Sequence, residues 1–94
     1  MIEGVALERD FEIINKRGLH ARASVKFVQT VMEFDADVQV SKDGVTVGGS
    51  SIMGLMMLAA APGSSIRVSA SGPQGDAVLE ALGALIADKF GEEI

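Results

Sequence analysis

Asn15-Lys16-Arg17-Gly18-Leu19-His20-Ala21-Arg22-Ala23-Ser24-Val25-Lys26-Phe27-Val28 is the stretch where the chain changes its period. Upstream, Val5, Leu7, Phe11 and Ile13 share one parity and Glu8, Asp10 and Glu12 the other. That alternation predicts a half-buried strand over residues 5–14, with Arg9 as its misfit. From Ala21 to about Phe34 the apolar spacing becomes helical, through Ser24, Val25, Val28, Val31 and Met32. The loop between them carries Gly18, a candidate for positive φ or close backbone approach. His20, the single histidine of the chain, therefore stands where a loop turns into a helix.

Working outward, Asp35-Ala36-Asp37 ends the helix, and Val38 and Val40 alternate with Gln39 and Ser41. Lys42-Asp43-Gly44 is a strong hairpin turn, because Asp-Gly supplies backbone angles that match strand twist. Val45 and Val47 return as a short strand. Gly48-Gly49-Ser50-Ser51 precedes a short apolar helix from Ile52 to about Leu58, with Ser50 or Ser51 at its N-cap. Pro62-Gly63 marks a turn, and Ile66, Val68 and Ala70 alternate with Arg67, Ser69 and Ser71 as a strand. Gly72-Pro73 opens a last helix striped by Val78, Leu79, Leu82, Leu85, Ile86 and Phe90. The order β-α-β-β-α-β-α predicts an α+β fold: an antiparallel sheet with helices on one side.

At 94 residues the chain has room for one domain, 1–94, and for no second one. The absence of Cys removes disulfides and thiolate sites, and a lone His without Cys removes the usual zinc constellations, so no metal or cofactor is expected. A formal net charge of −5 and no aromatics beyond four Phe argue against nucleic acid as a partner. No apolar run approaches the roughly 20 residues needed to cross a bilayer. Met1-Ile2-Glu3-Gly4 lacks the features of a signal peptide, so a cytoplasmic location is the expectation.

The candidate chemistry gathers at His20. A helix N-terminus offers unpaired backbone N–H groups and a positive dipole end, a setting that favours phosphate. Arg22 adds a permanent cation whose fork matches phosphate oxygens, and Arg17 is a second cation. The helix end and the arginines favour a neutral ring with a nucleophilic nitrogen, and then a phosphoryl group placed on it. A histidine near a helix start is ordinarily a cap or a solvated side chain, and no acidic residue adjoins it in sequence to complete a triad. Ser51 reads first as an N-cap worth about 1 kcal/mol, and secondly as a phosphorylation site. The run from Ile52 to Leu58 reads either as core or, in part, as an exposed docking patch.

Gly18-Leu19-His20-Ala21-Arg22, followed by Phe27-Val28 and, downstream, Ser51-Ile52-Met53-Gly54, closely resembles the HPr family. These are the histidine-containing phosphocarriers of the bacterial phosphoenolpyruvate-dependent phosphotransferase system. The likeness spans nearly the whole chain. It implies an open-faced β-sandwich of four antiparallel strands covered by three helices. His20 would take a phosphoryl group on Nδ1 from phosphorylated Enzyme I and pass it to an EIIA-type protein, with Arg22 and the backbone N–H groups near Ala21 and Arg22 assisting. Ser51 matches the serine that an HPr kinase/phosphorylase modifies in part of the family. Ile52, Met53 and Met56, with Arg17, Leu19 and Lys26, would form the docking surface. The chain would be a carrier, not an enzyme, and a monomer, in a sugar-uptake or a nitrogen-type relay. The alternative is an effector module that binds enzymes or transcription factors through the Ser51/Met53 patch. One departure is Ala23, where many members carry Pro, which suits a helix's first turn.

Overall fold

Val38, Val40, Ile66, Val68 and Ala70 fall on one face of their strands and are buried, whereas Gln39, Arg67 and Ser69 point the other way. A sheet with one apolar face must be covered on that face alone. The computed structural model describes residues 6–92 and has this architecture. Strands β1 (Leu7–Glu12), β2 (Asp37–Lys42), β3 (Val45–Gly48) and β4 (Ser65–Ser71) form one antiparallel sheet in the order β1-β4-β2-β3. Helix α1 (Ala21–Met32) lies between β1 and β2 and α2 (Ile52–Met57) between β3 and β4, while α3 (Gly75–Ala87) follows β4 and a 3₁₀ turn comes after it at Lys89–Gly91. The element order implied an antiparallel sheet with helices on one side and the resemblance an open-faced β-sandwich, and the fold is that sandwich.

The register places the apolar partners in rows, with Phe11 opposite Ile66 and Val38 opposite Ala70, while Val40 lies opposite Val68. Arg9 sits opposite Val68 and is exposed, because β1 is an edge strand. Val5, expected in that strand, lies outside the described residues. On the uncovered face Arg67 reaches Asp10 across the β1–β4 ladder, at 2.9 Å.

Three expectations need correction. The buried face of α1 is Ala23, Ser24, Phe27 and Val31, and Met32 is 71% exposed. The face is set by Phe27, the largest side chain of the helix and fully buried. Second, α3 begins at Gly75 with Gln74 as its cap, so Gly72 and Pro73 lie before the helix. Third, Phe90 is buried but does not belong to α3. Lys89 and Phe90 both have φ of +56° and Gly91 has +76°, so the chain turns left-handed after Asp88. Each left-handed non-glycine residue costs about 1–2 kcal/mol. Burial of the whole Phe90 ring, and the bond from Lys26 Nζ to the Phe90 carbonyl at 2.6 Å, offset that strain. Leu82, Ile86 and Phe90 keep a spacing of four, which is why the turn reads as helix.

Gly49 lies where the hairpin meets the sheet, with its N–H bonded to the Val38 carbonyl at 2.7 Å. A Cβ there would stand 2.6 Å from Val38 Cγ1. Gly49→Ala is expected to lower stability by about 1–3 kcal/mol through overpacking. Urea unfolding followed by circular dichroism measures this directly.

Candidate functional site

The route from β1 to α1 is fixed at Gly18. Its φ is +68°, and a Cβ would sit 2.5 Å from the Ala60 carbonyl oxygen. That same carbonyl accepts the Leu19 N–H at 2.9 Å, so the loop is laid directly on the segment after α2. Leu19, expected among the docking residues, is buried by this contact and belongs to the core. The chain leaves Leu19 with His20 in extended conformation, φ −79° and ψ −176°, as the N-cap of α1.

Two contacts set the imidazole. Nδ1 accepts the backbone N–H of Arg22 at 3.3 Å, and Nε2 bonds to the Glu92 carboxylate. A carboxylate only accepts, so Nε2 carries the proton and Nδ1 presents its lone pair at the helix start. The His20 carbonyl meanwhile accepts the first intrahelical bond, from Ser24 N–H at 2.8 Å. The ring is partly accessible, with 24% of its side-chain surface exposed.

Glu92 is the residue that sequence reasoning missed. It is 72 positions from His20, and nothing local marks it. The strand–loop–helix reading finds no acidic neighbour of His20, and in space one is there. The left-handed turn anchored by Phe90 brings it in, and buried Asn15 holds it. Asn15 Nδ2 donates to the Gly18 carbonyl at 2.8 Å and to Glu92 Oε1 at 3.0 Å. Its Oδ1 is buried and has no hydrogen-bond partner among the described residues. Turning the amide over would set that oxygen against two acceptors, so the orphan oxygen is the cost of clamping Glu92. Burial alone would raise the Glu92 pKa. The hydrogen bonds from Asn15 and His20, with the positive charge of Arg17, more than offset it and hold the carboxyl below its ordinary value of 4.5.

The remaining expected residues separate into groups. Arg17 and Arg22 are exposed, and neither side chain forms an ion pair among the described residues. Ala21 is the first residue of α1. Lys26 faces the C-terminal turn, its amine bonded to Phe90. Ser51 caps α2, its Oγ accepting the Gly54 N–H at 3.0 Å. Of the α2 segment only Leu55 and Leu58 are buried, while Ile52, Met53, Met56 and Met57 are exposed. A shallow recess lined by Arg17, Leu19, His20 and Ala59 to Pro62 joins the end of α2 to the histidine. Among the described residues no three His, Cys, Asp or Glu side chains converge as a metal site would require. No helix there is long and apolar enough to cross a membrane.

An open-faced sandwich with an accessible histidine capping its first helix defines a class of small phosphoryl carriers. The model of the PTS HPr component phosphorylation site matches residues 7–88. The phosphocarrier protein HPr of Cupriavidus necator is 50% identical over 86 residues, 92% of this chain and 97% of that one. The HPr of Neisseria meningitidis serogroup A is 51% identical over the same shares. The crystal structure of HPr-C-His from Thermoanaerobacter tengcongensis superposes with a TM-score of 0.89 at 43% identity, covering 94% of this chain and 99% of that one. The chain belongs to the HPr family of phosphocarriers of the phosphotransferase system; it is a carrier, not an enzyme. Membership implies Enzyme I and EIIA-type proteins as partners, and does not favour the purely regulatory reading.

The clamp has a pH signature. Because folding lowers the Glu92 pKa, the stability it contributes is fully present above about the ordinary carboxylate pKa and is lost as pH falls through the folded value. Glu92→Gln is expected to cost about 1 kcal/mol at pH 7, the scale of a charge-assisted bond at a partly screened site. The difference in urea midpoint between wild type and variant should close as the pH falls from 4.5 through the folded value.

Proposed function

We propose that His20 Nδ1 is the atom that carries the phosphoryl group. The supporting observation is the direction of the ring: Nδ1 faces the start of α1 while Nε2–H is held by Glu92. In the transfer, the Nδ1 lone pair attacks phosphorus in line, and the bond from phosphorus to the donor's nitrogen breaks. The ring gains positive charge as the new N–P bond forms, and the Glu92 carboxylate on Nε2–H balances it. The Arg22 N–H, freed from Nδ1, turns with the N–H of Ala21 to the phosphoryl oxygens. The Arg22 guanidinium, exposed and without an ion pair among the described residues, approaches the same oxygens. Arg17 adds charge on the other flank. The reverse steps deliver the group to an EIIA-type histidine.

Docking in this reading uses Ile52, Met53 and Met56, exposed on α2, together with the recess at His20, which Arg17 lines. Lys26 is assigned a lesser part, because its amine is committed to Phe90. Ser51 is the regulatory position, a substrate for an HPr kinase/phosphorylase. Its hydroxyl caps α2, and a phosphate there would keep a favourable place at the helix start while adding negative charge to an apolar docking face. The protein acts as a monomer in the cytoplasm, as one phosphocarrier domain over residues 1–94, in either a sugar-uptake or a nitrogen-type relay. The EIIA protein that accepts the phosphate distinguishes the two relays.

Incubation with Enzyme I and phosphoenolpyruvate is expected to label the wild type with acid-labile, base-stable phosphate and to leave His20→Ala unlabelled. Arg22→Ala should label about tenfold or more slowly, the usual consequence of removing one charge-assisted contact to a transferring group. Equal labelling of His20→Ala overturns the assignment. Ser51→Asp should weaken transfer from Enzyme I by raising KM more than it lowers kcat, since it touches docking and not the ring. An unchanged KM would remove Ser51 as a switch.

A further inference from the structure

Helix α2 turns an unusual surface to solvent. Of five methionines in the chain, three fall within residues 53–57. Met53 and Met57 are 72% and 75% exposed and Met56 is 42% exposed. Their spacing of three and four places them on one helix face. The outer face of a helix is normally polar, and this one is thioether. The chain contains no Cys, Trp or Tyr. A two-electron oxidant meeting this protein therefore finds no thiol, indole or phenol, and the accessible methionine sulfurs are its preferred target.

We propose that Met53, Met56 and Met57 form a peroxide-reactive modification site that controls carrier docking. This rests on the reading of α2 as the docking face. A thioether sulfur attacks the distal oxygen of a peroxide, and the O–O bond breaks. Sulfur is oxidised to the sulfoxide as the peroxide is reduced to water or an alcohol, the proton on the transferred oxygen moving to the leaving oxygen. Nothing in the sequence or the chain's net charge changes, but a flexible apolar side chain becomes a polar hydrogen-bond acceptor. Beneath an apolar partner surface that acceptor is left unsatisfied, and docking weakens. Methionine sulfoxide reductases reverse the step, so the site acts as a switch and not as a lesion.

The chain carries its own control. Met32 is 71% exposed, as open as the α2 pair, but lies at the far end of α1, about 17 Å from its start. The experiment treats the full-length protein with hydrogen peroxide, maps the additions of about 16 Da, one oxygen each, by peptide mass spectrometry, and measures kcat/KM for phosphoryl transfer from Enzyme I. Oxidation at Met53, Met56 and Met57 is expected to lower kcat/KM about tenfold, and sulfoxide reductases of both stereochemical types to restore it. Met32→Leu should lose as much on treatment as the wild type. The Met53→Leu, Met56→Leu, Met57→Leu triple variant, compared with its own untreated rate, should lose nothing although Met32 is oxidised. The proposal is overturned if wild type oxidised at all three positions transfers at its untreated rate, if the reductases fail to restore transfer, or if the triple variant loses as much as the wild type. Met53→Glu, assayed without oxidant, separates the two levels. If it transfers as well as wild type, the docking reading fails and the switch with it. If it is slowed while oxidised wild type is not, the switch alone fails.

Discussion

The chain has apolar side chains for only one face of its sheet, and the rest of the structure follows from that constraint. β4 lies at the interior of the sheet and alternates Ile66, Val68 and Ala70 with Arg67, Ser69 and Ser71. Its neighbours match it row by row. Every helix must then be delivered to the same side, and each connection must turn sharply to get there. The turn into α1 is the tightest, since Gly18 is laid against the Ala60 carbonyl with no room for a Cβ. His20 is the residue that this turn leaves at the mouth of the helix. Its position is a consequence of covering the sheet.

Position alone does not orient a ring. A histidine at an N-cap can rotate, and either nitrogen can meet the helix. Here the ring is held from both sides, by the Arg22 N–H at Nδ1 and the Glu92 carboxylate at Nε2. The second contact depends on long-range packing. Phe90 must enter the core through a left-handed turn, Lys26 must hold that turn, and Asn15 must grip Glu92 at the expense of its own carbonyl oxygen. Two unfavourable local features, the left-handed turn and the unpaired Asn15 oxygen, thus converge on one tautomer. Strain and an unpaired buried acceptor gathered around one side chain are expected where geometry serves chemistry and not stability alone.

What was legible in the sequence were the parts that depend on neighbours along the chain. Alternation gave all four strands, the Asp43-Gly44 pair gave the hairpin, and the serine before an apolar run gave the α2 cap. The resemblance carried by Gly18 to Arg22 and Ser51 to Gly54 led to the family. The errors share a cause. Met32 lay on a plausible stripe, but the buried face is chosen by the partner surface, and Phe27 decided it. Phe90 kept helical spacing while the backbone reversed its handedness. Leu19 sits beside the histidine in sequence and beneath it in space. Glu92 had no local signal, because a contact across 72 residues leaves no periodicity to read.

A carrier must also be able to let go. A deep pocket closing on the phosphoryl group would bind it tightly and hinder the next acceptor, since binding that is equal in ground and transition states does not speed transfer. The surface at His20 is built the other way. The ring is partly exposed, the adjoining recess is shallow, and the two arginines stand in solvent where water screens them. Among the described residues the carboxylate in the site is that of Glu92, and it faces Nε2 and not Nδ1, the nitrogen proposed to carry the phosphoryl group. The chain's net charge of −5 keeps the rest of the surface from holding an anion. Strong stabilisation of the transferring group then arises only when a partner covers the site and excludes water, which lowers the local dielectric around the same few charges. On the proposed reading, in which α2 docks the partner, the contact that excludes water and the group that needs it excluded belong to one event.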